Sequence, residues 1–367
     1  MAATLPLKLM HRALLPPSRV HLQSGVPPWS GGPICIEGTE LVQYAADADG
    51  ARTYGAYDFG GQHEFTVRLS SSAQWPAERD GSLVLSWFSC EGNVHHMFGE
   101  TIHPLWLQTT QQNASGSTRP PRVLMLGKPE WPPREDGDCH SARFASLLAL
   151  LPIDRQLLVG PGGAAALGSD GRAQALAPPR RQCFERSGQQ PSFAEGAAGL
   201  PQAFYQWIAS EAGVCEPPPR GRGAQVLLVR RNSTRRMLNL DGVYSALARL
   251  PGVGSVRTVD LAELDALGQM SAACGATMMV GVHGQGNEWA HFLNGAKGRG
   301  GGLLELHYEG WPCYYAPRME MGDSRIRGVC QEHRRIMEDG GDPKFADVEV
   351  DLAALEAGAR EILASSV

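Results

Sequence analysis

An apolar run, Met278-Met-Val-Gly-Val282, passes without a break into His283-Gly-Gln-Gly-Asn-Glu-Trp-Ala290. No other stretch restricts the fold as much, because it reads as a buried strand, a tight turn and a helix start. Gly284 and Gly286 lack a Cβ, so the backbone can turn sharply and let another group come close. Asn287 is placed to cap a helix over Glu288–Asn294, whose first N–H groups and positive dipole end favour an anion. Units of this kind build parallel sheets, and ligands of such sheets settle at the carboxyl ends of the strands. The same local features also describe an ordinary βα turn with no ligand.

The rest of the chain repeats the strand–helix alternation. Leu83–Phe88, Arg122–Leu126 and Gln156–Val159 read as buried strands, and Phe144–Leu151 as a packed helix. Farther on, Gln225–Val229, Val256–Leu261, Met278–Val282 and Gly302–Leu306 read as strands. Asp241–Leu250, and a segment with Leu264, Leu267, Met270 and Cys274 on its inner side, read as helices. With 367 residues there is room for two domains of ordinary size. Glu216-Pro-Pro-Pro-Arg-Gly-Arg-Gly223 is the best linker. The expected division is an irregular N-terminal layer over residues 1–80 with an edge hairpin around Glu64–Leu69, a Rossmann-like domain over 81–215 and a second over 216–367.

A hydrophobic share of 43%, a charged share of 19% and a net charge of −5 describe a soluble globular protein for which nucleic acid is an unsuitable main partner. No signal peptide or anchor is visible, since Met1–Val20 is broken by Pro6, Lys8, His11, Arg12 and Pro16-Pro17. Eight cysteines include no C-x-x-C pair. Cys313 and Cys330 flank a segment that a bridge can staple, whereas Cys274, on an apolar helix face, reads as a free buried thiol. Two sequons, at Asn113 and Asn232, matter only in the secretory pathway.

Two constellations carry chemistry. Arg230-Arg-Asn-Ser-Thr-Arg-Arg-Met-Leu-Asn239 follows a strand and puts four arginines within seven residues near the sheet edge that holds His283. Guanidinium forks suit diphosphate oxygens, while a solvated basic loop is the plainer reading. Asn93-Val-His-His-Met-Phe-Gly-Glu-Thr-Ile-His-Pro-Leu-Trp106 follows strand 83–88. If helical, it places His96, Glu100 and His103 on one face, as a base with its partner, a metal site or a hydrated surface. Three motifs are set aside. Gly160-Pro-Gly-Gly is followed too soon by Gly168-Ser-Asp-Gly171 to open a dinucleotide helix. No G-x-S-x-G supplies a hydrolase nucleophile, and Asp47-Ala-Asp49 follows no convincing strand.

With these residues in view, the chain resembles glycosyltransferase family 61. Met279–Gly286 resembles that family's VGVHGAG motif, and Val229–Asn239 its ISR…SR…LN motif, with Arg231, Arg235 and Asn239 in the matching places. Glu305 falls at its strand-end EI, and Asn93–Leu105 resembles H-x-F-x-[D/E]-x-x-x-P-L through His96, Phe98, Glu100, Pro104 and Leu105. Cys183-Phe184 also has a familiar setting. After HGxG the family continues Leu-Thr-Asn, whereas this chain has Asn287-Glu-Trp289.

The resemblance implies an α/β, GT-B-like fold, two Rossmann-like domains with parallel sheets facing across a cleft. It implies inverting transfer of a sugar, GlcNAc or a pentose, from a UDP-sugar to a hydroxyl on a protein or polysaccharide. Glu100 is then the base and His96 its orienting partner. The donor is held by Arg231, Arg235, Asn239, His283, Gly284, Gln285, Gly286, Asn287 and Glu305. No metal or other cofactor is required, and the compartment is the Golgi or endoplasmic reticulum. Two other readings are a catalytically silent carbohydrate-binding protein on this fold and a metal-dependent enzyme using His96, Glu100 and His103.

Overall fold

The computed structural model describes residues 34–37, 40–45, 50–58, 61–71, 80–87, 94–103, 105–107, 122–126, 145–151, 156–160, 163–167, 173–175, 182–189, 200–218, 223–296, 299–308, 310–320, 325–337, 341–342 and 345–365. It is a mixed α/β protein. Asp47–Asp49, the sequon at 113–115, Gly168–Gly171 and part of the linker lie outside the described residues.

Strands β1 (Ile34–Glu37), β2 (Glu40–Ala45), β3 (Gly50–Asp58), β4 (Gly61–Ser71), β5 (Asp80–Trp87), β6 (Arg122–Leu126), β7 (Gln156–Gly160), β8 (Gly163–Leu167), β9 (Ala173–Ala175) and β10 (Gln182–Gln189) form one sheet. Their order is β3-β4-β2-β1-β10-β5-β6-β7-β8-β9. Only its centre, β10-β5-β6-β7, is continuously parallel. The expected hairpin around 64–69 is present as β3–β4. Residues 34–45, read from sequence as irregular, instead supply β1 and β2 to this sheet. Gly160 and Gly163 close an antiparallel hairpin between β7 and β8, so the GPGG turn leads to a strand and not to a helix. Cys35 is buried and disulfide-bonded, and it stands opposite Cys183 across β1 and β10.

The second sheet contains β11 (Ala224–Arg230), β12 (Val253–Asp260), β13 (Met278–Val282), β14 (Arg299–Tyr308), β15 (Arg325–Ile336) and β16 (Asp347–Glu349). Their order is β12-β11-β13-β14-β15-β16, parallel except for the last pair. Side chains of a strand alternate between faces, and both faces here are apolar. Leu227, Val229, Met279 and Leu303 join one core, and Val226, Leu228, Met278, Val280 and Leu304 the other. Helices Leu240–Ala248 and Leu352–Ser365 supply side chains to the second core.

The first core is covered by helix Ala266–Cys274, by helix Gln202–Ala212 and by residues 94–107 and 145–151. Residues 200–215, placed by sequence with the N-terminal unit, therefore pack on the C-terminal sheet. Gln202 Nε2 donates to the carbonyls of His291 at 3.3 Å and Ala296 at 2.9 Å. Cys274 is not a free thiol: it is bridged to Cys215, with Cα atoms 5.1 Å apart. The apolar helix face that suggested a lone buried thiol is the face on which residue 215 lands. The anticipated staple between Cys313 and Cys330 is present. No helix among the described residues is long and apolar enough to cross a membrane.

Candidate active site

Numbered within the second sheet, the strands run in the order 2-1-3-4-5-6. The crossover direction therefore reverses between β11 and β13, and a crevice opens at their carboxyl ends. The loops leaving those two strands are the arginine loop and the His283 turn, so topology brings together the two segments that sequence had singled out.

The turn is tighter than expected. Gln285–Phe292 is a 3₁₀ helix, not an α-helix. Gly284 is extended, with φ 164° and ψ 162°, and a Cβ there would lie 2.5 Å from Nη1 of Arg231 and 3.3 Å from Nη1 of Arg235. Glycine at 284 thus lets two guanidinium groups close over the turn. Arg235 Nη1 donates to the His283 carbonyl at 2.9 Å, and Arg231 Nε donates to the Thr234 carbonyl at 3.0 Å. Burial, then the neighbouring charge of Arg235, lowers the pKa of Arg231. Arg235 also sits in the left-handed region, at φ 57°, a conformation that costs a bulky residue about 1–3 kcal/mol and collects at functional sites. Two cations held together beside open backbone amides are an arrangement that can receive an anion. As the first residues of the 3₁₀ helix, Gln285 and Gly286 have no intrahelical acceptor for their N–H groups.

The other two arginines do different work. Arg236 forms an ion pair with Asp347 at 2.6 Å, and Arg230 lies 3.9 Å from Glu263. Asn239 is committed in both directions to Val350, donating to its carbonyl at 2.8 Å and accepting its N–H at 3.0 Å. It fastens the end of the arginine loop and does not face the crevice.

Three further expectations are corrected in the same way. Asn287 caps nothing: its backbone N–H goes to the Gly284 carbonyl at 2.9 Å, and its side chain is buried under the turn. Gly281 makes room for that side chain, since a Cβ at 281 would stand 2.6 Å from Asn287 Oδ1. The Gln285 side chain is also spoken for, accepting the Val94 N–H at 2.7 Å. Glu305 is wholly buried and acts as an anchor. Its Oε1 accepts from His283 Nδ1 at 2.7 Å, and its Oε2 accepts the N–H groups of Tyr315 and Ala316, each at 2.7 Å. One carboxylate therefore sets the His283 ring and the start of helix Tyr315–Met319.

Segment 94–107 lies beside the turn, tied to it by the contacts of Val94 with Gln285 and of His95 with Glu288. The backbone is helical over Val94–His96 and becomes a π-helix over Met97–Ile102, a form that often marks functional sites. The side chains of His96 and Glu100 lie outside the described residues. The regular α-helical backbone on which the i, i+4, i+7 expectation rested is replaced by a π-helix over Met97–Ile102. His103 instead packs among aromatics, with its ring centroid 5.0 Å from Phe204 and stacked on Trp106. Burial lowers its pKa to about 4. Among the described residues, the atoms with metal-ligand spacing are those of Glu305, Cys313 and Cys330, within 4.8 Å of one another. The two cysteines are bridged, and the carboxylate is occupied by backbone amides.

Sequence reading missed a buried polar network. Glu288 is 3% exposed, accepts from Tyr205 Oη at 2.8 Å and lies 3.0 Å from Nδ1 of His95. A carboxylate only accepts, so the His95 proton sits on Nδ1, and Nε2 faces the Tyr314 hydroxyl at 3.3 Å. Burial disfavours the Glu288 charge. The hydrogen bond from His95, the nearby imidazoles and the Tyr205 hydroxyl outweigh that penalty and hold its pKa at about 2. Trp289 lies in the core with its ring centroid 5.4 Å from Phe98. Asn287, Glu288 and Trp289 are thus all buried beneath the turn. The missed signal was Glu288 itself, a carboxylate at the edge of an apolar segment.

These groups make the fold acid-sensitive. Burial lowers His103, His291 and His333 from 6.5 to about 4. Between those values the unfolded chain binds more protons than the folded one, so stability is present above pH 6.5 and is lost as pH falls toward 4. His333 shows why: its Nδ1 accepts the Asp351 N–H at 3.1 Å, and a proton there would remove the acceptor. The denaturant midpoint is expected to drop between pH 7 and pH 4.5. A constant midpoint would show that these imidazoles are not held neutral.

No protein-family model matches the sequence, and no curated protein matches it. Among solved structures, the chain is similar to a flavo di-iron protein mutant from Thermotoga maritima, at 10% identity and TM-score 0.25 over 61% of this chain and 48% of that one. It thus spans about half the length of that protein. It is also similar to the dodecameric iron-containing heptosyltransferase TibC in complex with ADP-D-beta-D-heptose, at 9% identity and TM-score 0.35 over 93% of each chain. Likenesses this distant assign no function.

Proposed function

We propose that this protein is an inverting glycosyltransferase of the family 61 kind, with a GT-B arrangement, moving a sugar from a UDP-sugar to a hydroxyl on a protein or polysaccharide. One observation carries the reading: Arg231 and Arg235 converge on Gly284 at the switch point of the second sheet. A diphosphate seated there receives two forked cations and the amides of the turn. These are the groups needed to neutralise it as it departs.

In the reaction the acceptor oxygen attacks the anomeric carbon on the face opposite UDP. The new C–O bond forms as the bond to the β-phosphate breaks, and UDP leaves with the electron pair. Glu100 takes the acceptor proton, and His96 orients the carboxylate. The arginines take the place of a divalent ion, so no metal is needed. The disulfides Cys215–Cys274 and Cys313–Cys330 support a secretory-pathway lumen, where bridges persist.

The direct test is UDP binding by calorimetry. Arg235→Ala is expected to weaken it by about 1.5–3 kcal/mol, the range for a charge-assisted hydrogen bond. Wild-type affinity in this variant would place the guanidinium outside the donor site.

A further inference from the structure

We infer that Asp260 is the ribose-reading residue of this protein, accepting hydrogen bonds from the 2′- and 3′-hydroxyls of a ribonucleoside diphosphate. The inference rests on the nucleotide-sugar reading above and extends it from the diphosphate to the nucleoside.

A cavity of about 370 Å³ opens beside Arg231 and runs over the carboxyl end of β12, within the size range of small-ligand sites. Val94, Leu261, Asn232, Asp260, Gln285 and Gly286 are among its walls. It is continuous with the turn, because Gly286 abuts residue 261: a Cβ at 286 would lie 3.2 Å from Leu261 Cδ1. A nucleoside joined to a diphosphate at Gly284 can extend into the cavity, across the end of β12. Leu261 and Val94 give that space apolar walls for a base.

Asp260 is the feature in this space that needs explaining. It is the last residue of β12 and is 8% exposed. Its Oδ1 accepts the Ala262 N–H at 2.9 Å, and its Oδ2 accepts Asn232 Nδ2 at 2.6 Å. An ionised carboxylate has about four lone-pair sites, so about two remain. Like charge next to a diphosphate weakens anion binding unless the ligand returns a donor. The cis hydroxyls of ribose are such donors: neutral, adjacent, and spaced for the two oxygens of one carboxylate. Asn232 holds the carboxylate in place from the arginine loop, so the same loop organises both halves of the site.

Titration of the full chain with UDP and with 2′,3′-dideoxy-UDP tests this. Wild type is expected to prefer UDP by about tenfold or more, the worth of hydrogen bonds to a charged acceptor. In Asp260→Ala the preference should vanish, with dideoxy-UDP bound as well as before or better, because a like charge has gone. Asp260→Asn keeps an oxygen for the Ala262 N–H and serves as the variant that preserves the local fold. It too should lose the preference, with a thermal midpoint near wild type. Retention of the wild-type ratio in either variant, or equal binding of the two ligands by wild type, overturns the assignment. If wild type binds neither ligand, the nucleotide-sugar reading itself fails and this inference goes with it.

Discussion

Glu100→Gln is expected to lower turnover by about 10²–10⁴-fold while leaving UDP affinity unchanged. That range is typical for the loss of a general base and corresponds to about 3–5 kcal/mol on the barrier. The substitution keeps the size and hydrogen-bonding shape of the side chain and removes only its capacity to take a proton. Residue 100 lies on the π-helix Met97–Ile102, whose Phe98 and Ile102 are fully buried. The start of the segment is tied to the His283 turn through Val94 and Gln285. A rigid mount is what a positioned base requires. Steady-state rates and calorimetry on the same preparation separate the two effects. Unchanged turnover would remove Glu100 from the proton transfer, and a parallel loss of UDP binding would make it a donor ligand instead.

Glu305→Ala is expected to destabilise the protein by about 3–5 kcal/mol, the cost of removing one partner of a buried ionic network. The carboxylate is wholly buried and accepts from His283 Nδ1 and from the amides of Tyr315 and Ala316. Its loss strands three buried donors, and each unsatisfied group costs about 1–3 kcal/mol. Glu305→Gln retains one acceptor oxygen and should fall between the two. Urea denaturation at pH 7 measures both variants. A loss below about 1 kcal/mol in the alanine variant would show that water or a rearranged loop replaces the carboxylate. The same variant frees the His283 ring, so surviving protein should also bind UDP more weakly.

Much of the second sheet was readable along the chain. Met278–Val282 is a strand with the predicted ends, and Gln225–Val229 differs from its strand by one residue at each end. A strand buried on both faces is written locally as an unbroken apolar run, as in Val226–Val229 and Met278–Val282. The first sheet was less legible. Its β1 and β2 are short, and β1 is held by pairing with β10, about 150 residues away, which no local pattern announces. The site divides in a similar manner. The arginine cluster and the glycine turn could be named from residue types, while the choice of Arg231 and Arg235, whose guanidinium groups lie at Gly284, came from the resemblance alone. Arg236 pairs with Asp347, and Arg230 lies 3.9 Å from Glu263. Asn239, Asn287 and Glu305 were expected at the donor and are anchors, because a buried polar group goes to whatever unsatisfied backbone lies nearest.

The sequence by itself determined where the strands run, where glycine permits a close approach and which segment carries cationic density. These follow from each residue's size, period and charge. Tertiary structure alone decided that His95 meets Glu288 across 193 positions, that Cys274 meets Cys215, and that Asp260 borders the same crevice as Arg231. Partnerships of that kind are selected by desolvation and close packing. Both act on groups that folding brings together, whatever their distance along the chain.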